Sequence, residues 1–599
     1  MPKPNTKRAL RTFAAGSVLL ALTGLAPAQE LDFVTPEPVA DALRRASLTA
    51  SVLDAEDTAS AQDLVAAARA DYRRLLTALY AEGYYGGSVS ILIDGREAST
   101  IAPLDAPSQV ARIEVRVDPG PQFRFGRAEV APLAEGTAIP EGFATGHIAK
   151  SAEVQAALTA AIEAWRNEGH AKASLDSQQI TARHADTTLD AVVTVDPGAQ
   201  NTFGPLTVTG NTDVRADRIA HIAGLPVGQV FSPDQLERAA NRLRRTGAFS
   251  SVAMIEADTA NADNSLPITA QVAELPPRRI GFGAEVSSVD GMTLSGYWLH
   301  RNFLGGAEQF RVDAEVAGIA GETGGADYSL GATLDYPRPF AVDTTGTLAL
   351  SYDRLDEPSY FLEQITGEAT VARLIRDDRT ISVGLGFVTA ETEDSFGERT
   401  YSLLTLPLSG TIDRRDSTMD AKTGWYADLD ITPFLGFGDA GSGGRIYGDG
   451  RYYQSFGADR QVTLAVRGQM GSVVGVSAAQ APADYLFFSG GGGTVRGQSY
   501  QSLGVDNGGT TIGGLSLAAI STEARVSVTD SIGVVGFFDA GWVGAQSLPF
   551  DDANWHSGAG VGLRYDTGIG PIRLDVATPA SGDTAGRSVN VYIGIGQSF

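Results

Sequence analysis

The sequence predicts a transmembrane antiparallel β-barrel of about 16 strands preceded by three small α/β modules. Three observations carry that expectation: a secretory-type amino terminus, a motif and helix pattern that repeats in the first half, and strict alternation of apolar with small or polar residues in the second. The length agrees, because 599 residues exceed one ordinary domain. Against 71 Asp and Glu stand 46 Lys and Arg, a formal net charge of −25 with no basic run, which argues against nucleic-acid binding. Glycine, at 70 residues, is enriched without a collagen period, and the 43 % apolar content is not that of a disordered chain. The absence of cysteine excludes disulfides, thiol catalysis, Cys-type zinc or iron–sulfur sites and a lipoprotein anchor.

At the amino terminus Lys3, Lys7, Arg8 and Arg11 precede an apolar stretch from Phe13 to Leu25 and then Ala26-Pro27-Ala28. That is the order of a signal peptide, residues 1–28, cleaved before Gln29; an uncleaved anchor is the alternative. The apolar core is shorter than the ~20 residues of a spanning helix. No later run reaches that length, so membrane residence must use strands.

Residues 29–275 read as three modules, 29–118, 119–198 and 199–275. Val117-Asp118-Pro119-Gly120 returns 78 positions later as Val195-Asp196-Pro197-Gly198. Each module also has a helix running into glycine, at Gly83, Gly169 and Gly247. The first helix carries Leu64, Ala68, Tyr72, Leu75, Leu76 and Leu79 at three- and four-residue spacing; the second carries Val154, Leu158, Ala161, Ile162 and Trp165. The third opens Ser232-Pro233-Asp234-Gln235, an N-cap serine with proline at the first helical position and a capping-box glutamine. Alternating runs such as Val89 to Ile93 and Ile113 to Val117 read as strands. Such modules serve either as spacers or, through exposed strand edges, as acceptors of an extended client strand.

From about residue 276 the period becomes two. Ile381, Val383, Leu385 and Phe387 interleave with Ser382, Gly384 and Gly386; Val462, Leu464 and Val466 and then Ile572, Leu574 and Val576 behave likewise. One apolar face and one small, polar or charged face suit lipid outside and a wet lumen inside. Residues 276–599 have room for roughly 12 to 18 strands; about 16 is a comfortable number, at about 20 residues per strand and connection against ~9–11 needed to span. Val591, Ile593 and Ile595 alternate before Phe599.

The sharpest motif is Tyr485-Leu486-Phe487-Phe488-Ser489-Gly490-Gly491-Gly492-Gly493-Thr494-Val495-Arg496-Gly497. It resembles the sixth extracellular loop of the Omp85 (BamA) superfamily. Arg301-Asn302-Phe303-Leu304-Gly305-Gly306, Asp413-Arg414-Arg415-Asp416, Gly536-Phe537-Phe538-Asp539-Ala540-Gly541 and Gly562-Leu563-Arg564-Tyr565 to Ile572-Arg573-Leu574 follow the family order. The three modules look like POTRA domains, so the resemblance covers nearly the whole mature chain. Gln498 stands where the family has an aromatic, with Tyr500 two residues on. An arginine among glycines and aromatics inside a barrel requires carboxylate partners. By resemblance those of Arg496 are Glu523 and Asp539, in a loop lock that includes Val495 and Gly497. Arg496 is then either a staple or a client contact.

The three-module arrangement is most similar to the TamA (translocation and assembly module) branch. This implies an outer-membrane insertase or translocase for outer-membrane proteins such as autotransporters, with its modules in the periplasm. Implied partners are an inner-membrane-anchored TamB-like protein, unfolded outer-membrane protein clients and outer-membrane lipids. A lateral seam is implied between the first strand, with Ile280, Phe282, Ala284 and Val286, and the last, with Ile593, Ile595 and Phe599. A conduit for phospholipid, or a pore for a single exoprotein, is the alternative.

No enzyme is expected. His147, His170, His184, His221, His300 and His556 form no spaced ligand pair, so neither metal nor cofactor is called for. Gly436-Phe437-Gly438-Asp439-Ala440-Gly441 matches a dinucleotide fingerprint by letters alone, since no helix follows. No Walker A or Gly-x-Ser-x-Gly motif is present. Asp413 to Asp416 reads as a solvated or luminal strand end.

Overall fold

A computed structural model describes residues 30–599 except 56–58, 103–104, 288–290, 322–323, 458–460, 530, 550–551, 568–569, 583–584 and 596. The expected signal segment lies outside the described residues. The described residues divide into two compact units: those of 30–201 with 230–232, and those of 202–229 with 233–599.

The first unit holds two small sheets of one design. In the first, Glu30–Val34 lies parallel to Arg112–Asp118, whose other neighbour is antiparallel Ser88–Ile93. In the second, Arg124–Ala131 lies parallel to Thr188–Asp196, flanked by antiparallel Ser174–Arg183. Helices Ala61–Ala81 and Ser151–Asn167 bury the stripes that the spacing predicts, with Leu64, Ala68, Leu75 and Leu79 in one core and Val154, Leu158 and Ala161 in the other. The repeated Asp-Pro-Gly is a turn in both places. Asp118 Oδ1 and Asp196 Oδ1 each accept the N–H of the glycine two residues on, and Gly120 and Gly198 both sit at φ 66°. Two further helices, Glu37–Ala46 and Leu48–Ala55, are too short to announce themselves by periodicity.

The second unit begins with a third sheet of the same design, Thr202–Thr209 parallel to Ser265–Glu274 and Phe249–Glu256 antiparallel to it. Helices Ala216–Ala223 and Pro233–Arg245 cover it; the second starts on its proline and runs out to Gly247 at φ 65°. The barrel follows as a closed antiparallel circuit of 16 strands. The eighth, residues 397–413, is interrupted at Leu406-Pro407, where proline has no N–H to give the ladder. The strands used below are the first (Arg278–Ser287), second (Gly291–His300), twelfth (Ser516–Ser527), thirteenth (Ile532–Gly544), fourteenth (Ala553–Tyr565), fifteenth (Ile572–Pro579) and sixteenth (Asn590–Ile595). Alternation is observed as expected: Ile381, Val383, Leu385 and Phe387 point outward, as do Ile572, Leu574 and Val576.

The third module meets the barrel at two turns. Arg242 and Arg245 donate to Asp343 at 3.0 and 2.6 Å, and Arg215 N–H donates to Gly305 O at 2.9 Å. Burial raises the Asp343 carboxyl, but hydrogen bonds and charge from both arginines outweigh it and hold it below its ordinary value.

Candidate functional site

Residues 475–515 connect the eleventh strand, Val462–Val474, to the twelfth and fold back among luminal side chains. Short antiparallel bridges shape the segment: Phe487 with Gly514, Ser489 with Leu503, and Gly491 with Val495. They deliver Arg496, only 3 % exposed, to the lumen wall. Its Nε and Nη2 donate to the two oxygens of Asp539 at 2.8 and 2.9 Å, the planar fork expected of guanidinium on carboxylate. Nη1 donates to Glu523 Oε1 at 2.6 Å and to Asp575 Oδ2 at 3.4 Å, and the main-chain N–H to Asp539 at 3.1 Å. The guanidinium lies 3.6 Å from the centroid of the Phe537 ring, a cation–π contact.

The network extends past the predicted residues. Arg525 donates to Glu523 at 2.8 Å and Arg564 to Asp575 at 2.5 Å, so three guanidiniums face three carboxylates and the charges balance. That balance is what makes the burial tolerable, since unpaired buried ions cost several kcal/mol each. The sequence motif pointed to Glu523 and Asp539 but not to Asp575, Arg525 or Arg564. The signal for those was the phase of alternation: each sits on the inward phase of a strand with an apolar outer face.

The flanking loop residues fix the seat. Val495 is fully buried beside Gly541, where an added Cβ would meet it at 3.0 Å. Gly497 has φ +94°, and a Cβ there would lie 2.6 Å from Thr578 O, so only glycine fits. Gln498, in place of the family aromatic, donates to Ser557 O at 2.7 Å and to Ser581 O at 3.3 Å. Tyr500 reaches Glu357 at 3.0 Å on the far wall. Two residues of the last strand also grip the loop: Gly497 N–H donates to Tyr592 Oη at 3.2 Å, and Asn590 Nδ2 to Gly497 O at 2.8 Å.

Among the described residues, the first and last strands meet over two register pairs, Val286 with Ile593 and Ser287 with Tyr592. By contrast the first strand makes ten pairs with the second, and the last makes six with the fifteenth. Ile280, Phe282 and Ala284 pair with the second strand and are not brought opposite the last; Phe282 is 88 % exposed. Ile595 pairs with Ile572 on its other side. An ion pair from Arg573 to Glu285, 2.9 Å, bridges the seam past Gly594, where a Cβ would come within 3.4 Å of both side chains.

Phe599 corrects the expectation that it extends the seam. The last strand ends at Ile595, and Phe599 is 9 % exposed, beside Tyr453, Ala421 and Ala465. Arg525 draws it inward by donating to its main-chain oxygen at 3.2 Å and lying 5.4 Å from its ring centroid. Among the described residues no cluster of three or more His, Cys, Asp or Glu could hold a metal ion.

Fold and loop together define an outer-membrane β-barrel preceded by POTRA-type modules on the periplasmic side. Residues 302–599 match the Omp85 superfamily domain, and residues 202–275 match POTRA, described as a surface antigen variable number repeat. The chain belongs to the Omp85 superfamily, whose members are non-enzymatic outer-membrane assembly and transport proteins. It is similar in fold to BamA from Haemophilus ducreyi lacking POTRA domains 1–3, at 16 % identity and TM-score 0.63, over 79 % of this chain and 99 % of that one. It is also similar to CdiB from Acinetobacter baumannii, at 12 % identity and TM-score 0.50, over 80 % and 90 %.

Proposed function

We propose that this protein inserts outer-membrane proteins, autotransporters among them, by offering the free edge of its first strand to a client strand at the lateral seam. The carrying observation is the seam: among the described residues two register pairs join its strands, and Arg278 to Glu285 have no partner strand on that side. Unpaired N–H and C=O groups in hydrocarbon cost several kcal/mol each, so that edge favours any strand that completes it. In this reading the periplasmic modules bring the client to the seam, a TamB-like protein anchored in the inner membrane supplies it, and the loop lock is a staple.

Photo-crosslinking in cells from positions 280, 282, 284 and 286, with luminal position 467 as contrast, tests the reading. Adducts with nascent barrel proteins at the four seam positions are expected. Adducts at 467 alone would replace the insertase by a secretion pore for an exoprotein. Protein adducts at none of the five would favour a phospholipid conduit.

A further inference from the structure

The last strand leaves the seam early although its register does not oblige it to. Continued from Val286–Ile593, that register would set Ala284 against Ile595, Phe282 against Gln597 and Ile280 against Phe599. The residues that would close the seam are instead held in the lumen. Arg564 Nε donates to Gln597 Oε1 at 2.8 Å, Gln597 Nε2 donates to Asp420 at 2.9 Å, and Arg525 holds the main-chain oxygen of Phe599.

The two arginines that hold this tail are the two that complete the loop lock. Arg525 shares Glu523 with Arg496, and Arg564 shares Asp575 with it. Higher on the same strand, Tyr592 and Asn590 are bonded to Gly497 directly. The loop thus grips the last strand at its upper end and, through two shared carboxylates, at its tail.

We infer that the seated loop keeps the seam short: it holds the tail of the last strand in the lumen, and unseating it lets the tail pair along the first strand and cover the client edge. The last strand is then the element with two arrangements, which a claim of coupling between separate sites requires. Seated loop and open edge go together, as do released loop and closed edge. The coupling rests on the insertase reading only for its purpose, not for its geometry.

The chain has no cysteine, so a disulfide reporter has no background. Phe282→Cys with Gln597→Cys reports the zipped register, in which both side chains face lipid. Since Gln597 is replaced in every arm, comparison between arms is internal. Oxidised in intact outer membranes, the reporter should form little disulfide alone. Its yield should rise by roughly threefold or more when Arg496→Ala is added. Asn590→Ala with Tyr592→Phe, which leaves the charge network whole, should raise it as well. A heat-modifiable band on gels certifies that each barrel is folded. Equal yields in all folded arms would overturn the coupling, whatever the fate of clients. A rise in yield without seam adducts to clients would keep the coupling and sink the insertase reading.

Discussion

Arg496 is worth more than a salt bridge because three carboxylates depend on it. Its removal leaves Glu523, Asp539 and Asp575 facing only Arg525 and Arg564, and breaking such a buried arrangement costs about 3–5 kcal/mol. Lysine would restore the charge but not the fork on Asp539 or the flat stack on Phe537. Arg496→Lys is therefore expected to behave closer to Arg496→Ala than to wild type in the accessibility of the loop to protease added outside cells. Gly497 makes an independent case. Alanine at φ +94°, against Thr578 O, adds strain of about 1–3 kcal/mol with no change of charge. Gly497→Ala should increase loop cleavage too, and a loop as resistant as wild type would show that the seat tolerates a shift of the chain at Thr578.

At the scale of elements, the docking of the third module on the barrel turn at Asp343 is expected to weaken in acid. The folded-state pKa of Asp343 is depressed, so its stabilisation is complete above the ordinary carboxylate pKa of ~4 and is lost as pH falls through the lower folded value. Asp343→Asn should loosen helix Pro233–Arg245 at neutral pH and abolish the further loosening of wild type in acid, read by hydrogen exchange corrected for intrinsic rates. Loss of protection with acid that is equal in both proteins would place the sensitivity elsewhere. The elements themselves were unevenly legible. Long helices and lipid-facing strands declare a period, so Ala61–Ala81 and Arg379–Asp394 could be read from spacing. Ala216–Ala223 spans barely two turns, too few for its stripe to stand out, and the break at Leu406-Pro407 splits an alternation that reads through on either side. The loop lock was half legible because a motif is local, whereas Asp575 and Arg564 join it through closure of a circuit. The course of Phe599 was not legible at all. Alternation up to Ile595 continues naturally onto it, and two luminal arginines from earlier strands turn the tail aside, Arg525 at Phe599 and Arg564 at Gln597.

For the whole molecule, the division of the lock between strands sets an order of events. Arg496 precedes in the chain every group that neutralises it: Glu523, Asp539 and Asp575 lie on the twelfth, thirteenth and fifteenth strands, and the grip on Gly497 comes from the sixteenth. Until those strands stand side by side, a guanidinium in that place would be buried without counter-charge. The loop must therefore wait outside while the wall is built, and its entry certifies that the wall is complete. In refolding into bilayers, protection of residues 475–515 from protease should lag behind the appearance of the heat-modifiable barrel. Protection that came first would mean the loop seats on a partial wall. A chain with one of those later strands misplaced would still look like a barrel from outside, but would display its glycine-rich loop to solvent. The same arginine that holds the finished protein together thus distinguishes finished molecules from unfinished ones.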